Sequence, residues 1–205
     1  MANPVPFSLN PLRTLEPKLL LPAAGTELSC TAFIFNKNPP IIERKETSME
    51  KSWQDVLDRF HYGIYLVTIT ADGGHNGMIA SWVTQISHDP PLVALAIRKN
   101  RLSHGQIKTS GKFSINVLSK NSLSMVRQFK IPDWKKKFDS IDYELSPHGN
   151  PVIKEAAGYL DCSVERTIDA GDHTLFIARI TAGEMKINED ILSSAQYDSV
   201  YRGEK

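Results

Sequence analysis

Two short turn sequences constrain this chain more than any other feature. Ala71-Asp72-Gly73-Gly74 follows residues 63–70, a run of β-branched and aromatic side chains of strand type. Glycine in that turn supplies the positive φ that a hairpin needs. Asp169-Ala170-Gly171-Asp172 likewise joins two long strand-like runs, residues 159–168 and 174–187. Further strands are predicted over residues 76–87, 91–98 and 112–118. Helices are few. One runs over residues 52–60 with Ser52 as its cap, one over 103–109 ending near Gly111, and one over 122–129. Residues 131–150 form a long connection carrying Pro132, Trp134, Lys135, Lys136 and Lys137. The pattern predicts a mainly β chain: an antiparallel barrel with a few peripheral helices.

A chain of 205 residues is long enough for one well-buried domain and too short for two full ones. Seven of the twelve prolines fall in the first 48 residues: Pro4, Pro6, Pro11, Pro17, Pro22, Pro39 and Pro40. This segment, 1–48, is expected to be an extended or poorly ordered extension, and 49–205 the barrel domain. Thr31-Ala32-Phe33-Ile34-Phe35 is apolar enough to add an edge strand or dock on the barrel. Met49, directly before the helical pattern, is expected to be the natural start.

A net charge of +1 gives no electrostatic case for nucleic acid or an anionic membrane. No apolar stretch reaches membrane-spanning length, and the start lacks the pattern of a secretory signal. Cys30 and Cys162 are too few and too far apart for a disulfide scaffold or a zinc site, and they fit a reducing cytoplasm. Cys162 lies in an apolar-alternating run and is expected to be a buried thiol. His61, His75, His88 and His148 have no metal-ligand spacing, so no metal site is expected.

The chemistry is concentrated between Asn76 and Pro91, which read N-G-M-I-A-S-W-V-T-Q-I-S-H-D-P-P. Small and hydroxyl residues, Gly77, Ala80, Ser81 and Thr84, interrupt an otherwise apolar strand. Small side chains let a flat ligand approach the backbone, and hydroxyls satisfy ring oxygens or a phosphate. Asp89-Pro90-Pro91 ends the strand sharply. Composition alone favours a plainer reading, a Ser/Thr-bearing strand with a polar outer face.

The run resembles the signature of the flavin reductase-like, FMN-binding split-barrel family, in which a strand of the type G-x-T-A-S-x-x-T-x-x-S is followed by a Pro-Pro step and an apolar strand. Other segments match in the same order. Residues 63–70 resemble the family's opening strand, and Arg98-Lys99-Asn100-Arg101-Leu102-Ser103-His104 its polar segment before a short helix. Residues 111–118 resemble the strand that follows. Gly171-Asp172-His173 resembles the family's G-D-H segment. Within the family the chain resembles flavin reductase domains paired with rubredoxin or flavodiiron proteins. Two positions depart from the pattern. Met78 stands where relatives often have threonine. Trp82 stands where many have a second small hydroxyl residue, and it either stacks near the flavin or fills core.

The resemblance implies an FMN-binding split barrel, with FAD as the alternative flavin, and an NAD(P)H:flavin oxidoreductase. Asn76, Met78, Ile79, Ala80, Ser81, Trp82, Val83, Thr84 and Gln85 are then expected along the flavin. Ser81, Lys99, Asn100, His104 and the N-terminus of the following helix are expected at its phosphate. Lys99 and Arg101 taken alone read as solvated loop charges. Trp134 and its neighbouring lysines are a further candidate cover for the flavin, or a solvated basic loop. Taken alone, His173 is a turn residue. By resemblance it lies near the flavin edge and positions NAD(P)H, with Asp172 shaping the turn. No G-x-G-x-x-G follows a strand, so the nicotinamide is expected in the barrel's own cleft.

The resemblance also implies a homodimer and a redox partner protein: a rubredoxin, a flavodiiron protein or a monooxygenase. Three other readings stand beside the reductase. One is a non-catalytic flavin module fed by a partner, in keeping with residues 197–205, which resemble the point where relatives continue into another domain. A second is a reductase releasing diffusible reduced flavin to a monooxygenase. The third is a flavin-free interaction domain.

Overall fold

The computed structural model describes residues 48–196. The expectations for residues 1–47, including the proline-rich extension, Cys30 and the apolar segment 31–35, lie outside the described residues, as does the segment 197–205.

The described chain runs α1 (Ser48–Leu57), β1 (Tyr65–Ala71), β2 (Gly74–Ala80), β3 (Val83–Ser87), β4 (Leu92–Arg98), α2 (Leu102–Ser110), β5 (Lys112–Val117), α3 (Leu123–Gln128), a 3₁₀ turn (Trp134–Lys136), β6 (Tyr143–Leu145), β7 (Pro151–Ile153), β8 (Gly158–Ala170) and β9 (His173–Met185). Seven strands form one antiparallel sheet in the order β2-β1-β5-β8-β9-β4-β3, and β6 and β7 form a separate hairpin. The mainly β, antiparallel architecture is as predicted.

Both turn sequences make two-residue hairpin loops. Ala71 pairs with Gly74, and the loop residues Asp72 and Gly73 both have positive φ, 55° and 74°. That is the arrangement in which a turn's twist matches its flanking strands. Ala170 pairs with His173, and Gly171 takes the positive φ of 62° at the first loop position. Gly111 ends α2 in the left-handed conformation, its N–H donating to the Ile107 carbonyl. The first helix begins at Ser48, so Ser52 lies inside it rather than capping it.

The predicted single strand over residues 76–87 is two strands. β2 ends at Ala80 and β3 begins at Val83, and these are the two outer strands of the sheet. Three Cα steps, at most about 11 Å, therefore connect opposite edges of a seven-stranded sheet. The sheet must curl until its edges approach there, and this curl makes the barrel. One apolar cluster confirms the closure. Val67 and Ile69 of β1, Ala80 of β2, Leu95 and Ile97 of β4, Phe113 and Ile115 of β5, Cys162 of β8 and Phe176 of β9 pack together. Burial, with the neighbouring Asp161 charge adding to it, pushes the Cys162 thiol up to about 12.

The opposite face of β1 is buried too. Leu66 packs with Met125, Val126 and Phe129 of the α3 segment and Ile153 of β7. Gly77 of β2 lies under Phe129: a β-carbon there would meet the ring at 2.5 Å. Beside this cluster runs a buried polar row. Asp161, fully buried, accepts from Ser114 Oγ at 2.8 Å and from the His148 N–H at 3.0 Å. Asn116 holds β7 by accepting the Ile153 N–H at 2.8 Å. Among the described residues each buried polar side chain is satisfied, as a stable interior requires.

Candidate functional site

The barrel is closed by chain continuity at Ser81-Trp82 and not by strand pairing. Among the described residues β2 pairs only with β1, and β3 only with β4. Each therefore keeps one edge without a strand partner among them, presenting main-chain donors and acceptors. The residues expected along a flavin divide around this corner. Met78 and Val83 are half-buried against the barrel core, and Ala80 is within it. Ile79 packs on the outside with Leu66. The half-buried Ser81 hydroxyl has no hydrogen-bond partner among the described residues. Thr84 is exposed and holds only a 3.3 Å bond to its neighbour's carbonyl. Gln85 reaches Ser87 O at 3.2 Å and His88 Nδ1 at 3.1 Å.

Asn76 lies elsewhere in character. It is buried, and its amide donates to Gln106 Oε1 at 2.6 Å and Ser103 Oγ at 3.2 Å, while its oxygen accepts the Gly77 N–H. Asn76 thus ties β2 to α2, which plugs the barrel with Ile107. Gln106 was not singled out in the sequence; it lies on the one face of α2, with Ser103 and Ile107, that is buried.

A second group forms where β4 ends against the β8–β9 turn. Arg98 pairs in register with His173. His173 donates from Nδ1 to Asp172 Oδ1 at 2.6 Å, and Arg98 Nε lies 3.3 Å from Asp172 Oδ2. The bond from His173 holds the Asp172 carboxyl below its ordinary range. This three-membered chain fixes the imidazole and leaves Nε2 without a partner among the described residues. The indole of Trp82 lies against the same imidazole, ring centroids 4.7 Å apart and planes tilted by 37°. Trp82 is thus neither core nor strand-face packing: it joins the corner to the G-D-H turn.

The expected phosphate residues have other partners. Lys99 pairs with Asp169 and donates to the Gly171 carbonyl at 2.6 Å. His104 Nε2 lies 2.8 Å from Thr174 Oγ1, and its ring packs edge-on to Phe176. Burial, then the charges of Lys108 and Lys99, hold His104 below its ordinary value, so it is neutral at pH 7. Asn100 is exposed in the turn before α2. Arg98, Asp169 and Thr174 entered the site without having been singled out as members. The signal was present: two acids in one turn face two bases at a strand end.

The connection after α3 reaches the same edge of the sheet. Lys137 donates to the Gly77 carbonyl at 2.7 Å, and burial followed by the nearby Arg101 charge lowers its affinity for a proton. The Trp134 ring faces Gly74 at the start of β2, where a β-carbon would meet it at 3.4 Å. No group of His, Cys, Asp and Glu suited to hold a metal occurs among the described residues. No helix there is long and apolar enough to cross a membrane.

The geometry suits a flat polar ring system: two strand edges open to a ligand, a half-buried hydroxyl with no protein partner, and a fixed imidazole beside them. Comparison with known proteins points the same way. Residues 57–203 match the family described as flavin reductase like domain. The high molecular weight rubredoxin of Moorella thermoacetica is 35% identical over 151 residues, covering 72% of this chain and 66% of that protein. The flavin reductase of Pseudomonas putida is 30% identical over 159 residues, covering 77% of this chain and 92% of that protein. The solved NADH:FAD oxidoreductase of Streptomyces globisporus superposes with a TM-score of 0.66 at 26% identity, covering 76% of this chain and 93% of that one. The chain spans less than two thirds of the length of some relatives, 43% in a match from Rhizobium meliloti. Its strand order, its corner and these matches together establish that the chain belongs to the flavin reductase-like domain family.

Proposed function

We propose that this chain is an NAD(P)H:flavin oxidoreductase that holds FMN, or alternatively FAD, along β2 and β3 and passes electrons to an acceptor. The observation that carries the reading is the meeting of two open strand edges at Ser81-Trp82, directly beside the anchored His173. A flavin bound there supplies a ring that accepts a hydride from the nicotinamide. The chain's own part is to bind and to orient. Main-chain groups of residues 78–85, with the Ser81 and Thr84 hydroxyls, hold the ring and ribityl oxygens. Asn100 and the first turn of α2 face the phosphate, with Lys99 exchanging Asp169 for it and His104 contributing as a neutral donor or acceptor. His173, oriented by Asp172 and Arg98, offers Nε2 to the carboxamide of NAD(P)H. Direct transfer needs no base on the protein, only two rings held at reacting distance.

The relative named as a rubredoxin supports a redox partner protein of that kind. A flavodiiron protein and a monooxygenase taking reduced flavin remain the alternatives. Exposed Ile86 and Ile168 on β3 and β8 support a homodimer. A cytoplasmic setting agrees with the reduced, buried Cys162. The test is His173→Ala. It is expected to raise the KM for NAD(P)H while flavin stays bound through desalting, and unchanged nicotinamide kinetics would remove His173 from this role.

A further inference from the structure

Among the aromatic side chains around the site, Trp82 has one face occupied and one face free. Trp82 is 47% exposed although one face of its indole rests on His173. The support behind it is rigid. His173 is held by Asp172, and Asp172 by Arg98. The backbone of Trp82 is fixed as well, its carbonyl accepting the Ala96 N–H at 3.0 Å. The indole Nε1 has no partner among the described residues, so nothing polar competes for the ring's position. A large aromatic face backed by an anchored ring and open to solvent is a stacking surface.

We propose that Trp82 is the stacking platform for the adenine ring of the dinucleotide donor. The inference rests on the reductase reading and adds the residue that distinguishes a dinucleotide from a mononucleotide. The nicotinamide must face the flavin to react. The adenine is the donor's one remaining aromatic ring, and the free indole face is the matching surface. Stacking of a base on an aromatic side chain is lost on substitution by alanine, and the loss does not depend on hydrogen-bond readout.

The test is calorimetric titration of the FMN-loaded full chain with two unreactive probes, NAD+ and the oxidised nicotinamide mononucleotide, which lacks adenine. Trp82→Ala is expected to weaken NAD+ by roughly 5- to 150-fold and to leave the mononucleotide unchanged. Trp82→Phe, which keeps an aromatic face, is expected to retain most of the NAD+ affinity. Trp82→Leu keeps apolar bulk without that face and should behave as the alanine variant does, so the question stands even where alanine impairs folding. Undiminished NAD+ binding in both non-aromatic variants overturns the proposal. An equal loss for both probes also overturns it, as does loss of FMN from the Trp82 variants. A wild-type chain that binds FMN but neither probe, nor NADP+, overturns the reductase reading along with it.

Discussion

A methyl group placed on Gly77 meets the Phe129 ring at 2.5 Å from Cε1 and 2.6 Å from Cδ1, and Leu66 Cδ1 at 3.2 Å. Ordinary carbon contacts lie near ~3.5–4.0 Å, so the ring would have to retreat by about 1 Å. It has no room to do so. Phe129 is 2% exposed, and the edge-on ring of Phe138 packs against it at 5.1 Å. Overpacking of this kind costs about 1–3 kcal/mol. With a urea dependence of roughly 2 kcal/mol per molar, Gly77→Ala should lower the unfolding midpoint by about 0.5–1.5 M. The same change in a Phe129→Leu background should cost less, by at least ~0.5 kcal/mol, because the two sites share one contact. Urea denaturation of the four variants measures both. If Gly77→Ala unfolds at the wild-type midpoint and instead loses flavin, the glycine serves a ligand and the packing argument is wrong.

Asp161→Ala leaves the donors Ser114 Oγ and the His148 N–H without their buried acceptor, and should destabilise the fold by about 3 kcal/mol; a midpoint within error of wild type would contradict this. His75 and His104 both have proton affinities lowered by burial from the ordinary value of 6.5. As pH falls below about 6.5 the unfolded chain binds protons that the native state refuses, so stability is full above that value and declines below it. Replacing His104 by Gln should flatten the decline in urea midpoint on acidification; a steeper decline in the variant would reverse the sign.

The strand-rich architecture was legible because its turns are chemically specific. Asp72-Gly73 and Gly171 admit the positive φ of tight hairpins, and the runs beside them are β-branched. The corner at Ser81-Trp82 was not legible. Period and composition continue smoothly from Ala80 into Val83, and only the pairing of β2 with β1 and of β3 with β4 reveals that the chain changes edges. The small residue at 77 was visible, but its cause was not: Phe129 lies 52 positions away in the chain. Likewise the segment 98–104 announced polar chemistry without disclosing partners. Lys99 looked available for phosphate because Asp169, which holds it, comes from β8, 70 positions along the chain. His173 was found through the G-D-H resemblance, whereas its anchoring by Arg98 required the register of β4 against β9.

The central claim is electron transfer from a nicotinamide to a flavin held at the open strand edges. Anaerobic mixing of the FMN-loaded chain with NADH, and separately with NADPH, tests it most directly. The account predicts that at least one of them bleaches the oxidised flavin absorbance, and more slowly in His173→Ala at subsaturating donor. A chain that binds FMN and is bleached by neither donor contradicts the reductase account and favours a module reduced by a protein partner.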